Sequence, residues 1–232
     1  MIFIKELQNA GGDFLKNKRQ LIAVLVIILG LLGFYTVSRI FSTPSVSHLR
    51  WHIPKKTAFM KDCDTEIQRQ YVPLSKISLF LKQAVILAED DRFPQHDGID
   101  WKAIMEAFKR NWKRKRISHG ASTITMQLAK NLYLSPRRSP FRKIKEMLIA
   151  LKLERELSKD RILEIYLNVA EFGCGIFGAE AAAKHYFGGS ARYLDKHQAA
   201  FLAAILPRPC FYDKHRWGAF LQERIQGIEG RL

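Results

Sequence analysis

The chain has 232 residues, 47% of them hydrophobic, which is enough for one large domain or two small ones with a sizeable core. Its 38 lysines and arginines outnumber its 22 aspartates and glutamates, giving a net charge of +16. This balance indicates a polyanionic partner: nucleic acid, an anionic membrane or a phosphorylated substrate. Three scattered cysteines, Cys63, Cys174 and Cys210, exclude a disulfide framework and a zinc site, although one pair could still bridge.

The N-terminal region predicts a membrane anchor. Residues 21–37 carry no charge and reach the short end of the length that spans a bilayer. A signal peptide is the alternative, but the residues at 38–41 are a poor cleavage context. We therefore predict a single transmembrane helix at 21–37. The lysines and arginine within residues 1–20 place that segment in the cytoplasm and the rest of the chain outside it.

The remainder predicts a mainly α fold. Residues 38–72 have weak periodicity and two prolines, which is typical of a linker and membrane-proximal segment. A domain over residues 73–232 follows, opening with a helix that Ser75 caps and that runs to Ala88. Apolar residues then recur at helical spacing, with almost no strand-like alternation, over residues 100–112, 141–157, 159–168, 179–186 and 196–206. Residues 119–123 are expected to form a turn and cap, followed by a helix to about Leu134.

Three consecutive carboxylates, Glu89, Asp90 and Asp91, end the first helix. The C-terminus of a helix carries partial negative charge, so acids are disfavoured there by up to about 1 kcal/mol. A sequence that accepts this cost indicates a carboxylate whose pKa is raised, as a general base or acid requires.

The helix that begins after Gly120 starts with Ser122, Thr123 and Thr125. These side chains fit simple N-capping and, equally well, an anion site, because helix N-terminal amides and hydroxyls bind phosphate. Lys130 follows two turns later, close in sequence to Gln127 and Asn131.

A second carboxylate lies in the long helix at 141–157. Arg142, Lys143 and Glu146 share one helix face, since they are spaced i,i+4 and i,i+3. The pattern fits a surface ion pair of little energetic value. It also fits a functional carboxylate beside cations that receive phosphate, and Arg137 and Arg138 add to the positive field.

Three further patterns carry less weight. Residues 173–178 fit the glycine-rich dinucleotide motif, but a helical segment precedes them, so we expect a turn between two helices. His96 and His119 lack partners at metal-ligand spacing and are expected to shape their loops. The basic run at 109–116 fits a solvated face, or a mobile flap over the site.

Separated carboxylates, clustered cations and a membrane anchor together fit sugar transfer from a lipid-borne glycosyl pyrophosphate. One alternative is a glycan-cleaving, lysozyme-like hydrolase or lytic enzyme, which the carboxylates permit but which leaves the cations without a pyrophosphate to bind. Another is a membrane-anchored nucleic-acid-binding protein, which the charge motivates but which leaves Glu89 and Glu146 unexplained.

Several long motifs between residues 74 and 209 occur in a fixed order. They are Glu89-Asp90-x-x-Phe93-x-x-His96-x-Gly98, Gly120-x-Ser122-Thr123-Ile124-Thr125-x-Gln127-Leu128-x-Lys130-Asn131, Arg142-Lys143-x-x-Glu146, Lys159-x-x-Ile162-Leu163-Glu164-x-Tyr166-Leu167-Asn168, Ala181-Ala182-x-x-x-Tyr186-Phe187 and Leu206-Pro207-x-Pro209. In these motifs the chain resembles the monofunctional peptidoglycan glycosyltransferases of glycosyltransferase family 51. The same domain is the transglycosylase domain of bifunctional penicillin-binding proteins.

The resemblance implies a lysozyme-like helical fold and the polymerisation of lipid II into β-1,4-linked glycan strands. Undecaprenyl pyrophosphate would be released in a single inverting displacement. Glu89 would be the base that deprotonates the acceptor 4-hydroxyl, and Glu146 would assist at the donor pyrophosphate, directly or through a divalent cation. The residues that fall where the family binds donor sugar and phosphates are Ser122, Gln127, Lys130, Asn131, Arg138, Arg142 and Lys145.

The resemblance also implies the partners and the location. They are lipid II, the growing glycan strand, the membrane and cell-wall synthesis or division complexes, with no nucleic acid. The domain would face the periplasm from the bacterial inner membrane. The sequence requires no cofactor. It leaves open whether Mg²⁺ or Mn²⁺ binds near Glu146.

Two positions depart from the family pattern: Met126 replaces a common glutamine and Glu106 a common arginine. Neither S-x-x-K nor K-T-G occurs in the chain, so we expect no transpeptidase activity.

Overall fold

The computed structural model describes residues 21–23, 25–35, 38, 41–114, 120–135, 139–216 and 218–232. The chain forms two compact units, Met1–Thr43 and Pro44–Leu232. In the first, residues 21–23 and 25–35 are helical. Within the ranges given above, no helix combines the length and the apolar character needed to cross a membrane. The predicted span at 21–37 lies partly outside the described residues, and the predicted cytoplasmic segment at 1–20 lies wholly outside them.

The second unit is mainly helical, as the periodicity predicted. Its helices are α1 (Ala58–Lys61), α2 (Leu79–Glu89), α3 (Trp101–Lys113), α4 (Ile124–Tyr133), α5 (Pro140–Glu156), α6 (Lys159–Val169), α7 (Ala179–Phe187), α8 (Lys196–Ile205), α9 (Pro209–Lys214) and α10 (Ala219–Glu229). Short 3-10 turns cover Ser47–Arg50, Leu74–Lys76, Phe93–Gln95 and Ala191–Tyr193, and the strands are β1 (Gln68–Arg69), β2 (Glu171–Gly173) and β3 (Ile176–Phe177). Each helix that the periodicity predicted is present, with ends that differ by a few residues.

From Pro44 onwards, the segment predicted as a linker belongs to this unit. Val46, Leu49 and Met60 are at most 1% exposed and lie in its hydrophobic core. Residues 44–72 are therefore part of the second unit, whereas residues 38–72 were predicted to be a linker and membrane-proximal segment. Sequence periodicity missed this packing because the elements here have four residues or fewer, too few to repeat a pattern.

Helix α2 carries the three carboxylates at its end. It begins at Leu79 rather than at Ser75, since residues 74–76 form a separate 3-10 turn. Ser78 directly precedes the helix, but its hydroxyl donates to the Leu194 carbonyl instead of capping. The buried side chains of α2, Leu81, Ala84 and Val85, belong to the core, and the helix packs against α8. This packing fixes Glu89, its last residue.

Helix α4 packs against α1, α5 and α6. Its N-cap is Thr123, whose hydroxyl accepts from the Met126 amide. The amide of Ile124 donates to the Asp90 carboxylate over 2.9 Å, so the start of α4 is tied to the end of α2. Two predicted motifs, far apart in sequence, thereby meet.

The three short strands form one sheet in the order β1-β3-β2. Residues 173–178, the segment that fits the dinucleotide motif, contain the end of β2, the two-residue turn at 174–175, and β3. Gly175 has φ +76°, and a Cβ there would lie 2.4 Å from the Glu66 carbonyl oxygen, so glycine is required. The segment connects α6 to α7, as predicted. The two short strands β2 and β3 within this connection were not predicted.

Candidate active site

Glu89 lies at the centre of the candidate site. Its carboxylate is 12% exposed, accepts a hydrogen bond from Gln127 Nε2 at 2.8 Å and pairs with the Arg224 guanidinium at 3.3 Å. Burial raises the pKa of Glu89 above its usual value, although Gln127, Arg224 and Lys130 oppose that shift. A carboxyl with a raised pKa is what the position at the end of α2 predicted.

Tyr166 on α6 orients the amide that holds Glu89. Its hydroxyl donates to Gln127 Oε1 at 3.0 Å, which leaves the amide nitrogen of Gln127 to donate to Glu89. Tyr166 is 1% exposed, and burial raises its pKa well above 10, so its hydroxyl keeps the proton that it donates. The hydrogen bond from Tyr166 on α6 thus determines that the Gln127 amide nitrogen, and not its oxygen, faces Glu89.

The two carboxylates that follow Glu89 have other roles. Asp90 is 8% exposed and accepts from His96 Nε2 at 2.9 Å as well as from the α4 amide. His96 Nδ1 in turn accepts from the Gly98 amide, so His96 shapes its loop as predicted. Asp91 is exposed and lies 3.8 Å from Arg231, a surface pair of little energetic value. His119 lies outside the described residues.

Glu146 on α5 is the second carboxylate, and it is 3% exposed. Arg142 donates to Oε1 and Lys143 Nζ to Oε2, the latter at 2.9 Å, so the predicted shared helix face is confirmed. Lys143 also donates to the Ser122 hydroxyl. Ser122 therefore joins the ion pair on α5, and capping of α4 falls to Thr123.

Lys130 on α4 interacts with both carboxylates. Burial lowers the pKa of its ammonium, while the charges of Glu146 and Glu89 oppose that shift. The ammonium lies 5.4 Å from the ring centroid of Phe59, a cation–π distance. Phe59 comes from the segment that was predicted to be a linker.

The described residues of the predicted set lie on three helices and one flanking loop. Glu89 ends α2, Ser122 precedes α4, and the remaining members are Gln127, Lys130 and Asn131 on α4 and Arg142, Lys145 and Glu146 on α5. Asn131 is buried and Lys145 half-buried. Arg138 lies outside the described residues. Lys143 pairs with Glu146, as their i,i+3 spacing predicted.

Sequence reasoning left three contributors to this site without a role: Tyr166, Phe59 and Arg224. Tyr166 stands inside one of the quoted motifs. Phe59 and Arg224 lie outside every motif, and Arg224 is 135 positions from its partner Glu89. No local pattern could have identified those two residues.

The surroundings of Glu146 do not fit the divalent cation that the sequence left open. Both carboxylate oxygens already accept from the cationic side chains of Arg142 and Lys143, and the nearby Ser122 hydroxyl accepts from Lys143. Among the described residues, no three His, Cys, Asp or Glu side chains converge as a metal site would require.

The family model described as Transglycosylase matches residues 56–230. A biosynthetic peptidoglycan transglycosylase of Methylobacillus flagellatus is 48% identical over 80% of this chain and 86% of its own length. Proteins of the same name from Dechloromonas aromatica and Bordetella pertussis are 44% and 48% identical. These alignments cover 89% and 74% of this chain, and 94% and 73% of the two relatives. On this match, the chain belongs to the transglycosylase family.

Proposed function

We propose that this protein is a peptidoglycan glycosyltransferase that polymerises lipid II into β-1,4-linked glycan strands and releases undecaprenyl pyrophosphate. One observation carries the proposal: a partly buried carboxyl with a raised pKa, Glu89, shares the cation Lys130 with a buried carboxylate, Glu146, whose partners are also cations. Family membership and the shared name of the relatives support the same activity.

Glu89 is the general base of the proposed reaction. A base works best when its pKa lies near the working pH, and burial moves the pKa of Glu89 in that direction. Its carboxylate takes the proton of the acceptor sugar 4-hydroxyl while that oxygen forms a bond to the donor anomeric carbon. Attack opposite the leaving group converts an α-linked donor into a β-linked product in one inverting step.

The cations receive the leaving group. When the bond from the anomeric carbon to the pyrophosphate breaks, its electron pair stays on the pyrophosphate and adds negative charge there. Lys130, Arg142 and Lys143 offer donors for that charge, and those on α5 are held in place by Glu146. Glu146 acts in this scheme by orienting cations, and no step runs through a metal ion.

The two alternatives account for fewer of these features. A glycan hydrolase would need the carboxylates but has no pyrophosphate for the cations around Glu146. A nucleic-acid-binding protein would use the cations but gives the buried carboxylates no task. The names of the relatives support neither alternative.

The proposal includes anchoring in the inner membrane by residues 21–37, with residues 1–20 in the cytoplasm and the catalytic domain in the periplasm. The uncharged apolar sequence of this segment supports the anchor, and its described residues are helical. Helix α3 supports work at a lipid surface, because large apolar side chains 55–76% exposed alternate there with basic ones. Those apolar side chains are Trp101, Met105, Phe108 and Trp112. The basic run predicted at 109–116 is part of α3 as far as Lys113, and residues 115–116 lie outside the described residues.

The deciding experiment incubates the detergent-solubilised full chain with labelled lipid II. Wild type should produce a polymer that lysozyme digests, and Glu89→Gln should lose nearly all activity. Asp91→Asn is the matched control, since it neutralises an exposed carboxylate two residues away and should stay active. Absence of polymer under conditions that support a known polymerase would refute the function. Full activity of Glu89→Gln would remove Glu89 as the base.

A further inference from the structure

Two of the three cysteines lie side by side, at the contact between the β2–β3 turn and α9. Cys174 in the turn has its sulfur 3.9 Å from the backbone carbonyl oxygen of Cys210, the second residue of α9. The amide of Cys174 also donates to the Asp213 carboxylate at 3.3 Å, one helical turn further along α9. Two contacts therefore hold the turn against the helix at this point.

The Cys210 side chain also contacts the strand that leads into the turn. The Cys210 thiol donates to Glu171 Oε1 at 3.6 Å, which directs its sulfur towards the strand that leads into Cys174. Burial, and after it the neighbouring Cys174 thiol, raise the pKa of Cys210. Both cysteines are half-buried, so small reagents can reach them. The third cysteine, Cys63, contacts the Thr65 hydroxyl at 3.1 Å.

A metal ion does not explain the pair. The other polar groups here are engaged, since Asp213 pairs with His185 at 2.9 Å and with Arg216 at 3.0 Å. Three convergent metal-binding side chains are not found in the described part of the chain. Adjacent, accessible thiols without a metal have oxidation as their characteristic chemistry.

We propose that Cys174 and Cys210 form a disulfide bond that fastens the β2–β3 turn to α9 in an oxidising compartment. The periplasmic location that supplies such conditions rests on the proposed function, whereas the pairing rests on the contacts of the two residues. The sequence left open which cysteines pair, and the structure assigns these two.

The bond forms by two thiol–disulfide exchanges with a disulfide-bearing oxidant, either an oxidoreductase or oxidised glutathione. The Cys174 thiolate attacks the oxidant disulfide and releases its first thiolate. The Cys210 sulfur then attacks the Cys174 sulfur of the mixed disulfide and releases the second. The Cys210 proton leaves through Glu171, its hydrogen-bond acceptor. Two thiols are oxidised, one oxidant disulfide is reduced to two thiols, and the protons pass to those products.

The bond constrains a part of the chain that adjoins the candidate active site. It closes a loop between positions 36 apart, which removes conformational freedom from the unfolded chain. Glu171 lies on β2 just before this turn, and the charge of Lys130 acts on its carboxyl. We expect oxidation to raise the midpoint of thermal unfolding by several degrees.

The test uses the purified full chain, equilibrated in a large excess of oxidised over reduced glutathione and then alkylated with N-ethylmaleimide. Intact mass should show one labelled thiol instead of three, and proteolysis should give a peptide pair joined through Cys174 and Cys210. Reduction should restore three labelled thiols and lower the unfolding midpoint. The readouts do not depend on glycan synthesis, so a failure of the polymerase assay leaves them intact.

The matched control is Cys63→Ser, which should keep both the crosslink and its stabilisation. Cys174→Ser and Cys210→Ser should each lose both. Three alkylated thiols in the oxidised wild type, or a crosslink that includes Cys63, would overturn the proposal. The peptide map of the oxidised wild type is sufficient to show which cysteines pair. The proposal can therefore be tested even if one of the variants folds poorly.

Discussion

Replacing Arg224 with methionine removes the cation that lies 3.3 Å from Glu89 Oε1 and keeps a side chain of similar length. Arg224 also donates to the Ala204 carbonyl through Nε, so the variant loses one partly buried hydrogen bond in addition. The Gln127 amide remains in place and still donates to Glu89. The main change at the site is therefore one missing positive charge beside the proposed base.

The size of the effect follows from the distance and the exposure of the pair. Two unit charges 3.3 Å apart attract by about 1.3 kcal/mol in water and by about 5 kcal/mol at an effective dielectric constant of 20. The side chains are 29% and 12% exposed, so water screens the pair and the lower end applies. Loss of the arginine therefore removes about 1 kcal/mol of stabilisation from the ionised carboxylate, so the pKa of Glu89 should rise in the variant.

Whether the variant gains or loses activity at a given pH depends on which protonation state of Glu89 is active. A base must be ionised, so the rate falls as pH drops through its pKa. Arg224 lowers the pKa of Glu89, and its loss moves this acidic limb of the kcat/KM profile to higher pH. Initial rates of lipid II polymerisation measured across the pH range should show that displacement, with recovery of the rate at alkaline pH.

Arg231→Met is the control, because Arg231 lies near the same end of the chain and pairs at 3.8 Å with the exposed Asp91. Its acidic limb should coincide with that of wild type. An unshifted limb in Arg224→Met would refute the argument, since either Glu89 would not be the titrating base or Arg224 would not act on it. A uniform fall in rate at every pH would indicate misfolding instead.

Three further changes test other parts of the site. Tyr166→Phe leaves Gln127 Oε1 without its donor, so we expect a loss of about 1–3 kcal/mol in the free energy of unfolding by denaturant titration; an unchanged midpoint would contradict it. Phe59→Leu removes the ring below the Lys130 ammonium, and KM for lipid II should rise by about 2–30-fold while Phe59→Tyr stays near wild type. Lys143→Met removes one of the two cations that pair with Glu146 and should lower kcat by about tenfold. A kcat equal to that of wild type would contradict this prediction.

The sequence by itself determined the helical class and both carboxylates. Helical periodicity survives in a single chain because a helix that packs on a core must repeat its apolar face every three to four residues. Spacing alone also placed Lys143 and Arg142 on the same face as Glu146, since neighbours on a helix depend only on separation in sequence. The unfavourable position of Glu89 at a helix end pointed to its raised pKa.

Only the tertiary structure decided which side chains meet across the site. Arg224 reaches Glu89 from α10, and Phe59 reaches Lys130 from a four-residue helix within the segment predicted as a linker. The neighbouring thiols of Cys174 and Cys210 likewise come from a turn and a helix that no periodicity relates. Such contacts depend on how separate elements pack, and packing is set by the whole core rather than by any local run of residues.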